Sequence, residues 1–179
     1  GSGKFFESED FELHSFNVKH GTRARGYSFV EKDKRKINLA YLKKYGLKQH
    51  PVLKDLQLGK DIEWKGKKIK ARLATKPIFG KKVSIVLDTA YFVELVKAVK
   101  GADVLISESN YLEDLKDVAA ERKHMTAKQA ATLAKKAKVK ALYLTHFSQR
   151  YNSLKPFLDQ AKPVFKNTKV AKDFLKVCL

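Results

Sequence analysis

Apolar positions along this chain follow two periods, which predict alternating strands and helices. Short apolar runs bounded by polar residues predict strands at 11–18, 26–30, 83–87, 104–106 and 141–144. Apolar residues at helical spacing predict helices at 38–45, 51–59, 91–99, 112–119, 126–137 and 154–158. We also expect a bulge where the alternation slips before Phe16, a capping box from Thr126 to Gln129, and a last extended segment at 174–179. This order of elements predicts an α/β fold with a largely parallel sheet.

Residues 32–82 break this pattern because they hold few apolar positions for their length. Between Glu31 and Lys82 the chain has 17 Lys and Arg against five Asp and Glu. A small hairpin is predicted there, with its turn at Lys65-Gly66. We therefore predict one domain over residues 1–179, with residues 32–82 forming a protruding basic arm inserted within it.

Composition narrows the class of protein. The 179 residues suit one domain with one sizeable core, and a hydrophobic fraction of 44% excludes wholesale disorder. No apolar run approaches the ~20 residues of a membrane span, so we expect no membrane partner. The single cysteine, Cys178, excludes an internal disulfide and a multi-cysteine metal site, and it fits a cytoplasmic location. A formal charge of +19 favours a polyanionic partner, with RNA or DNA ahead of an acidic membrane.

Polar side chains follow three successive strands. Asp88, Glu108 and His146 stand at the strand ends, and His124 precedes the capped helix. Open α/β sheets bind ligands beyond the carboxyl ends of their strands. Carboxylate and imidazole groups are ligands for Zn²⁺, but the same groups serve general acid–base chemistry without a metal. Asp88-Thr89 is equally explained as a helix cap, so these residues alone leave the chemistry open.

Several segments resemble ribonuclease Z (RNase Z), the tRNA 3′-processing endoribonuclease of the metallo-β-lactamase superfamily. The most specific is His146-Phe147-Ser148-Gln149-Arg150-Tyr151, which resembles the Thr-His-Phe-Ser-x-Arg-Tyr signature of that family. Residues 18–27, 86–89, 107–112 and 123–131 resemble further family segments in the same order. The resemblance covers the chain from about Phe11 to its end.

The resemblance implies a zinc-dependent endoribonuclease that removes the 3′ trailer from precursor tRNA. It implies His20, Asp88 and His146 as ligands of a two-zinc site, with Asp88 bridging both ions. His124 would lie outside the metal shell and act on the leaving oxygen, with Glu108 orienting it. The resemblance and the basic composition together suggest RNA contacts through Ser148, Arg150 and Tyr151 and, on the arm, Lys65, Lys67 and Lys68.

One family hallmark is missing. The chain has five histidines, yet none lies in the His-x-His-x-Asp-His motif that supplies the remaining metal ligands. We therefore predict the C-terminal half of a metallo-β-lactamase αββα sandwich that needs an N-terminal half, as a separate chain or as the missing part of the same chain. We expect the isolated chain to be inactive and the completed enzyme to be a homodimer. The alternatives are a catalytically inactive RNA-binding module of this fold or another metallo-β-lactamase-type phosphodiesterase.

Overall fold

The computed structural model describes residues 2–179, so Gly1, the first residue of the predicted domain, lies outside the described residues. Contacts divide the chain into two compact units. One comprises the residues up to Glu31 together with Lys81–Leu179, and the other comprises Lys32–Gly80.

The elements are numbered here in chain order. The strands are β1 (Gly3–Glu7), β2 (Phe11–Asn17), β3 (Arg25–Glu31), β4 (Lys34–Ile37), β5 (Ile62–Trp64), β6 (Lys67–Ile69), β7 (Thr75–Ile78), β8 (Lys82–Val86), β9 (Val104–Glu108), β10 (Ala141–Thr145) and β11 (Thr168–Val170). The helices are α1 (Leu39–Lys43), α2 (Leu53–Gln57), α3 (Ala71–Ala74), α4 (Glu94–Ala98), α5 (Lys116–Glu121), α6 (Ala127–Ala137) and α7 (Lys155–Ala161), and a 3₁₀ turn at Glu113–Leu115 precedes α5.

The larger unit is built on a seven-stranded sheet with the order β1-β2-β3-β8-β9-β10-β11. Strands β8 to β11 pair in parallel, as the alternation of strands and helices predicts, whereas β1, β2, β3 and β8 pair antiparallel. Strand β2 is antiparallel to β3, which is antiparallel to β8. The carboxyl end of β2 therefore lies at the same edge of the sheet as the carboxyl ends of β8, β9 and β10.

The core of this unit lies between one face of the sheet and its helices. Strand residues Val86, Leu105 and Leu142 pack there with Leu133 of α6 and Phe157 of α7, all fully buried. Helix α6 begins with the predicted capping box, in which Thr126 Oγ1 accepts from Gln129 N and Gln129 Oε1 accepts from Thr126 N. Alanines on one side of α6 let it lie close against the sheet.

The predicted bulge in β2 is wrong. Strand β2 pairs with β3 in unbroken register from Phe11 to Asn17, and the irregular pairing lies in β1, between Lys4 and Phe6. The alternation slips because Phe16 faces the helix-covered core whereas Leu13 faces the other side of the sheet.

The second face of the sheet is apolar and partly open to solvent. Neighbouring strands place Tyr27, Ile85, Ile106 and Tyr143 in register across it, with Phe29 beside Val83 in the next row. Tyr27, Phe29 and Ile85 remain 46%, 38% and 39% exposed. Soluble monomers rarely expose a contiguous apolar surface of this kind.

The C-terminal segment 171–179 lies against part of that face. Leu175, Val177 and Leu179 line a cavity of about 300 Å³ together with Ile106 and Tyr143 of the sheet. The segment expected to be extended at 174–179 pairs with no strand of the described residues.

The smaller unit, Lys32–Gly80, has its own core around Leu42, Leu56 and Ile69. The predicted hairpin is present as β5 and β6, and Lys65 and Gly66 both have positive φ, as a two-residue hairpin turn requires. The pair β4 and β7 and the short helix α3 were not predicted, because lysines and arginines interrupt their apolar pattern. Among the described residues, none of the helices is long and apolar enough to cross a membrane.

Candidate metal centre

The candidate site lies at the edge of the sheet where β2, β8, β9 and β10 end. His20 follows β2, Asp88 follows β8, Glu108 ends β9 and His146 follows β10. His124 lies in the turn between α5 and α6. The structure therefore brings together the five residues that the sequence singled out as ligands or as the acid–base pair.

The loops that carry these residues are tied to one another. Lys19 N donates to Thr89 Oγ1 at 3.0 Å and Ala90 N donates to Lys19 O at 2.9 Å, which joins the loop of His20 to that of Asp88. Asn110 Nδ2 donates to His146 O at 3.1 Å, which joins the ends of β9 and β10. The loops thereby hold one another in place.

Backbone strain is concentrated here. Asp88, Lys123 and His146 have φ values of 49°, 56° and 55°, in the left-handed region that residues with a Cβ rarely adopt. Such strain persists where the surrounding contacts enforce it, and it clusters at functional sites.

Three side chains offer ligand atoms within 4.8 Å of one another: His20, Asp88 and His124. His146 joins them through its Nε2, which lies 3.1 Å from Asp88 Oδ1. Three imidazoles and a carboxylate that converge in this way suit a divalent transition metal such as Zn²⁺. The donors of His20, Asp88 and His146 therefore fit a metal, and His124 lies close beside them.

His20 is oriented by the backbone, since its Nδ1 lies 3.3 Å from Lys123 O. A carbonyl that accepts the Nδ1 proton leaves Nε2 of the imidazole free as a ligand, an arrangement common around metal-binding histidines.

Glu108 and His124 form the most deeply buried part of the site. Glu108 is fully buried, and its carboxylate accepts from Thr89 N and from Met125 N at 3.1 Å, while His124 Nδ1 lies 2.9 Å from its Oε2. Burial raises the pKa of Glu108 to about 7, although the bonds from Thr89 and Met125 oppose that rise. Burial also lowers the pKa of His124, and the charge of His20 adds to the effect. The contact between Glu108 and His124 Nδ1 leaves His124 Nε2 for chemistry.

The signature residues after β10 lie beside this cluster. Ser148 N donates to Asn110 O at 3.1 Å, and Arg150 Nε donates to Ser148 Oγ at 3.2 Å. The Tyr151 hydroxyl accepts from Leu112 N at 3.0 Å, and its ring packs on Phe157 with centroids 5.0 Å apart. Arg150 is exposed, whereas Tyr151 is half-buried and braces the loop.

The predicted arm residues Lys65, Lys67 and Lys68 belong to the smaller unit, around the turn of the β5–β6 hairpin. All three are exposed, and Lys68 Nζ lies 3.8 Å from Asp61 Oδ2.

Sequence reasoning missed three contributors to the site. Thr89 binds Glu108 and Lys19, the Lys123 carbonyl orients His20, and the Tyr111 ring lies under Arg150. Thr89 was visible only as part of a possible helix cap and of a segment like one in RNase Z, and Tyr111 only as part of another such segment. A backbone carbonyl such as that of Lys123 leaves no signal in the sequence.

Comparison with family models finds no match. Among curated proteins, the chain is 36% identical to ribonuclease Z of Archaeoglobus fulgidus over 179 residues, covering 98% of this chain and 58% of that protein. It is 38% identical to ribonuclease Z of Listeria welshimeri over 176 residues, covering 96% of this chain and again 58% of the relative. The chain thus spans about 58% of the length of these relatives.

Comparison with solved structures finds the same similarity. The short form of human tRNase Z matches 96% of this chain and 44% of its own, with a TM-score of 0.59 and 26% identity. A metallo-β-lactamase fold protein from Bacillus subtilis matches 93% of this chain and 49% of its own, with a TM-score of 0.58 and 18% identity, which supports the fold alone. The predicted resemblance and the predicted fold class are confirmed. Over nearly all its length the chain is similar to part of ribonuclease Z, and it has a metallo-β-lactamase fold.

Proposed function

We propose that this chain carries part of the active site of a zinc-dependent endoribonuclease that removes the 3′ trailer from precursor tRNA. The observation that carries the proposal is the convergence of His20, Asp88, His124 and His146 beside a buried Glu108, in a chain similar to ribonuclease Z over nearly all its length. A cytoplasmic location and a homodimeric completed enzyme belong to the same proposal.

His20, Asp88 and His146 would hold zinc, with Asp88 shared between two ions. Bound zinc supplies Lewis acidity toward a phosphodiester and activates water at neutral pH. The chain's own contribution is to hold these ligands in place through the Lys123 carbonyl, the bond from Asn110 and the ties between the loops.

His124 would act on the leaving oxygen. Its Nδ1 is held by Glu108, so Nε2 is the nitrogen that would face the reacting group. Because Glu108 is buried and bound by two backbone N–H groups, it fixes the imidazole rather than exchanging protons with solvent. In this role Glu108 is a positioning residue, and His124 would carry to the leaving oxygen a proton that it has taken up at Nε2 from solvent.

The proposed two-zinc site is incomplete in this chain. His20, Asp88 and His146 are too few ligands for two tightly held ions, even with His124 nearby. We therefore propose that a second segment carrying His-x-His-x-Asp-His supplies the other ligands, either as a separate chain or in continuous sequence with this one. The greater length of the relatives supports such a segment.

The apolar face of the sheet is the proposed docking surface for that segment, whose own β-sheet would cover it. Tyr27, Phe29 and Ile85 are exposed in register on this face. Burying each large apolar side chain contributes roughly 1.5–3 kcal/mol, which provides the driving force for docking.

RNA contacts are proposed at two places. Arg150, with Ser148 and Tyr151 supporting its loop, would meet a backbone phosphate near the cluster. On the smaller unit, the exposed Lys65, Lys67 and Lys68 would contact tRNA phosphates away from the scissile bond.

Cleavage of a 3′-extended precursor tRNA in the presence of Zn²⁺ tests the proposal. The chain is assayed alone and after mixing with a segment that carries His-x-His-x-Asp-His. We expect cleavage at the trailer junction only in the mixture. A mixture with the histidines of that motif replaced by alanine is the matched control.

Salt-dependent tRNA binding without cleavage in either assay would instead favour an RNA-binding module that has lost catalysis. Cleavage of small phosphodiesters without action on precursor tRNA would favour another hydrolase of this fold.

A further inference from the structure

The aromatic ring of Tyr111 connects two groups of the site. It lies beneath the guanidinium of Arg150, 5.1 Å from ring centroid to Cζ, and its centroid is 6.2 Å from that of His124. We propose that Tyr111 is a positioning residue whose ring holds the Arg150 guanidinium beside His124, ready to bind the phosphate at which His124 acts. This inference rests on the proposed phosphate contact of Arg150.

Tyr111 is a fixed platform. Its side chain is 3% exposed, and its backbone is bound on both sides, since Tyr111 N donates to Met125 O at 3.3 Å and Ala127 N donates to Tyr111 O at 3.0 Å. These bonds anchor Tyr111 to the stretch that carries His124. A group held by this ring therefore keeps its position relative to His124.

Arg150 needs such a platform because little else holds it. It is exposed, and within residues 2–179 its one side-chain hydrogen bond runs from Nε to Ser148 Oγ at 3.2 Å. No carboxylate in that range pairs with it, so its terminal nitrogens remain available to an anion. A guanidinium over an aromatic face is attracted by the ring quadrupole and keeps its in-plane donors for phosphate.

The platform geometry is tested without RNA. In NMR spectra of ¹⁵N-labelled chain, the side-chain protons of Arg150 should show an upfield ring-current shift. The shift should persist in Tyr111→Phe and disappear in Tyr111→Leu. A shift that is absent in the wild type, or that survives in Tyr111→Leu, overturns the inference.

The consequence for binding is tested with a double-mutant cycle. The probe is a short fluorescently labelled single-stranded oligoribonucleotide at low salt, with affinity measured by anisotropy. We expect Tyr111→Leu to weaken binding about two- to fivefold, as loss of an exposed cation–π contact predicts, and Tyr111→Phe to bind like the wild type. In an Arg150→Gln background, Tyr111→Leu should have no further effect.

A purely structural role for Tyr111 predicts a different pattern, in which Tyr111→Leu weakens binding equally in both backgrounds. That result, or unchanged affinity in Tyr111→Leu, contradicts the inference while leaving the proposed function standing. A wild-type chain that binds no oligoribonucleotide contradicts both the inference and the RNA contact on which it rests. Thermal unfolding of each variant shows whether the fold is retained.

Discussion

Asp88 combines a strained backbone with a central place in the cluster. Its φ is 49°, and its Oδ1 lies 3.1 Å from His146 Nε2. Asparagine tolerates the left-handed region, so Asp88→Asn should fold normally while removing the charge that a bridging ligand requires. We expect the completed enzyme to lose zinc and cleavage but to bind precursor tRNA nearly as before.

Metal content by mass spectrometry and tRNA affinity by filter binding check this expectation. Asp159→Asn, at an exposed position of α7, is the matched control. Equal losses of cleavage and tRNA affinity in Asp88→Asn would remove the bridging role from Asp88.

Site residues differed in how far the sequence revealed them. Asp88, Glu108 and His146 could be predicted because each directly follows or ends a strand, and parallel strands end at a common edge. His20 could not be placed by the same reasoning. Its strand reaches that edge only through two antiparallel pairings, which the local pattern does not specify, so only the resemblance indicated it.

At the scale of elements, β2 and β3 approach closely where Phe16 lies over Gly26. A Cβ added at Gly26 would stand 2.1 Å from the Phe16 ring, which itself packs on the core. We expect Gly26→Ala to lower the free energy of unfolding by about 1–3 kcal/mol, because the ring has to shift out of its packed position. Denaturant unfolding measures the change.

Gly21→Ala provides the matched control, since nothing lies within 4 Å of a Cβ at Gly21. If both variants lose the same stability, the loss does not come from the contact with Phe16.

The starts of β8, β9 and β10 are joined by Asp103. Its carboxylate accepts from Lys82 N at 2.8 Å and from Lys140 Nζ at 2.7 Å. Burial opposes ionisation, but the bonds from Lys140 and Lys82 outweigh it and hold the pKa of Asp103 below its ordinary value of 3.8. A lowered pKa means that the folded state binds fewer protons than the unfolded state, so this stabilisation is present at neutral pH and is lost as the pH falls through the folded-state pKa.

We therefore expect Asp103→Asn to cost about 1–3 kcal/mol of unfolding free energy near pH 7. The difference from the wild type should shrink as the pH falls below about 4. Thermal unfolding across that range, with the exposed Asp117→Asn as control, tests the direction. A difference that is constant with pH would show that charge is not what Asp103 contributes.

Elements with strong local signals were predictable, and those that depend on distant partners were not. The capping box of α6 and the turn of the β5–β6 hairpin are each specified by a few adjacent residues. By contrast, β4 has the sequence Lys-Arg-Lys-Ile, and its extended form comes from pairing with β7 about 40 residues later. Strand β11 has three residues and forms only beside β10.

For the whole molecule, the apolar sheet face should decide whether a second segment can dock. Ile85 is 39% exposed on this face, so Ile85→Glu should leave the isolated chain folded but prevent association with the segment that carries His-x-His-x-Asp-His. Size-exclusion chromatography of the mixture measures association. Val93→Glu, at an exposed position just before α4, is the control. Unchanged association of Ile85→Glu would place the docking surface elsewhere.

The chain has a net charge of +19. The question is whether tRNA contacts specific lysines or is attracted by the total charge of the chain. The β5–β6 hairpin presents Lys65, Lys67 and Lys68 on its exposed side, while Ile62 and Ile69 anchor it in the core of the smaller unit. Replacing the three lysines with alanine should therefore leave the fold intact.

Each phosphate contact contributes roughly 0.7–0.9 to the slope of log affinity against log salt. We expect the triple variant to bind precursor tRNA more weakly and with a slope reduced by about two to three. The control removes the same charge from the larger unit by replacing the exposed Lys128, Lys135 and Lys162 with alanine, which lowers long-range attraction equally. If the two triple variants change the slope alike, tRNA responds to the total charge of the chain. If only the hairpin variant changes it, the hairpin forms direct phosphate contacts, and the basic insertion is a binding surface rather than a solubilising one.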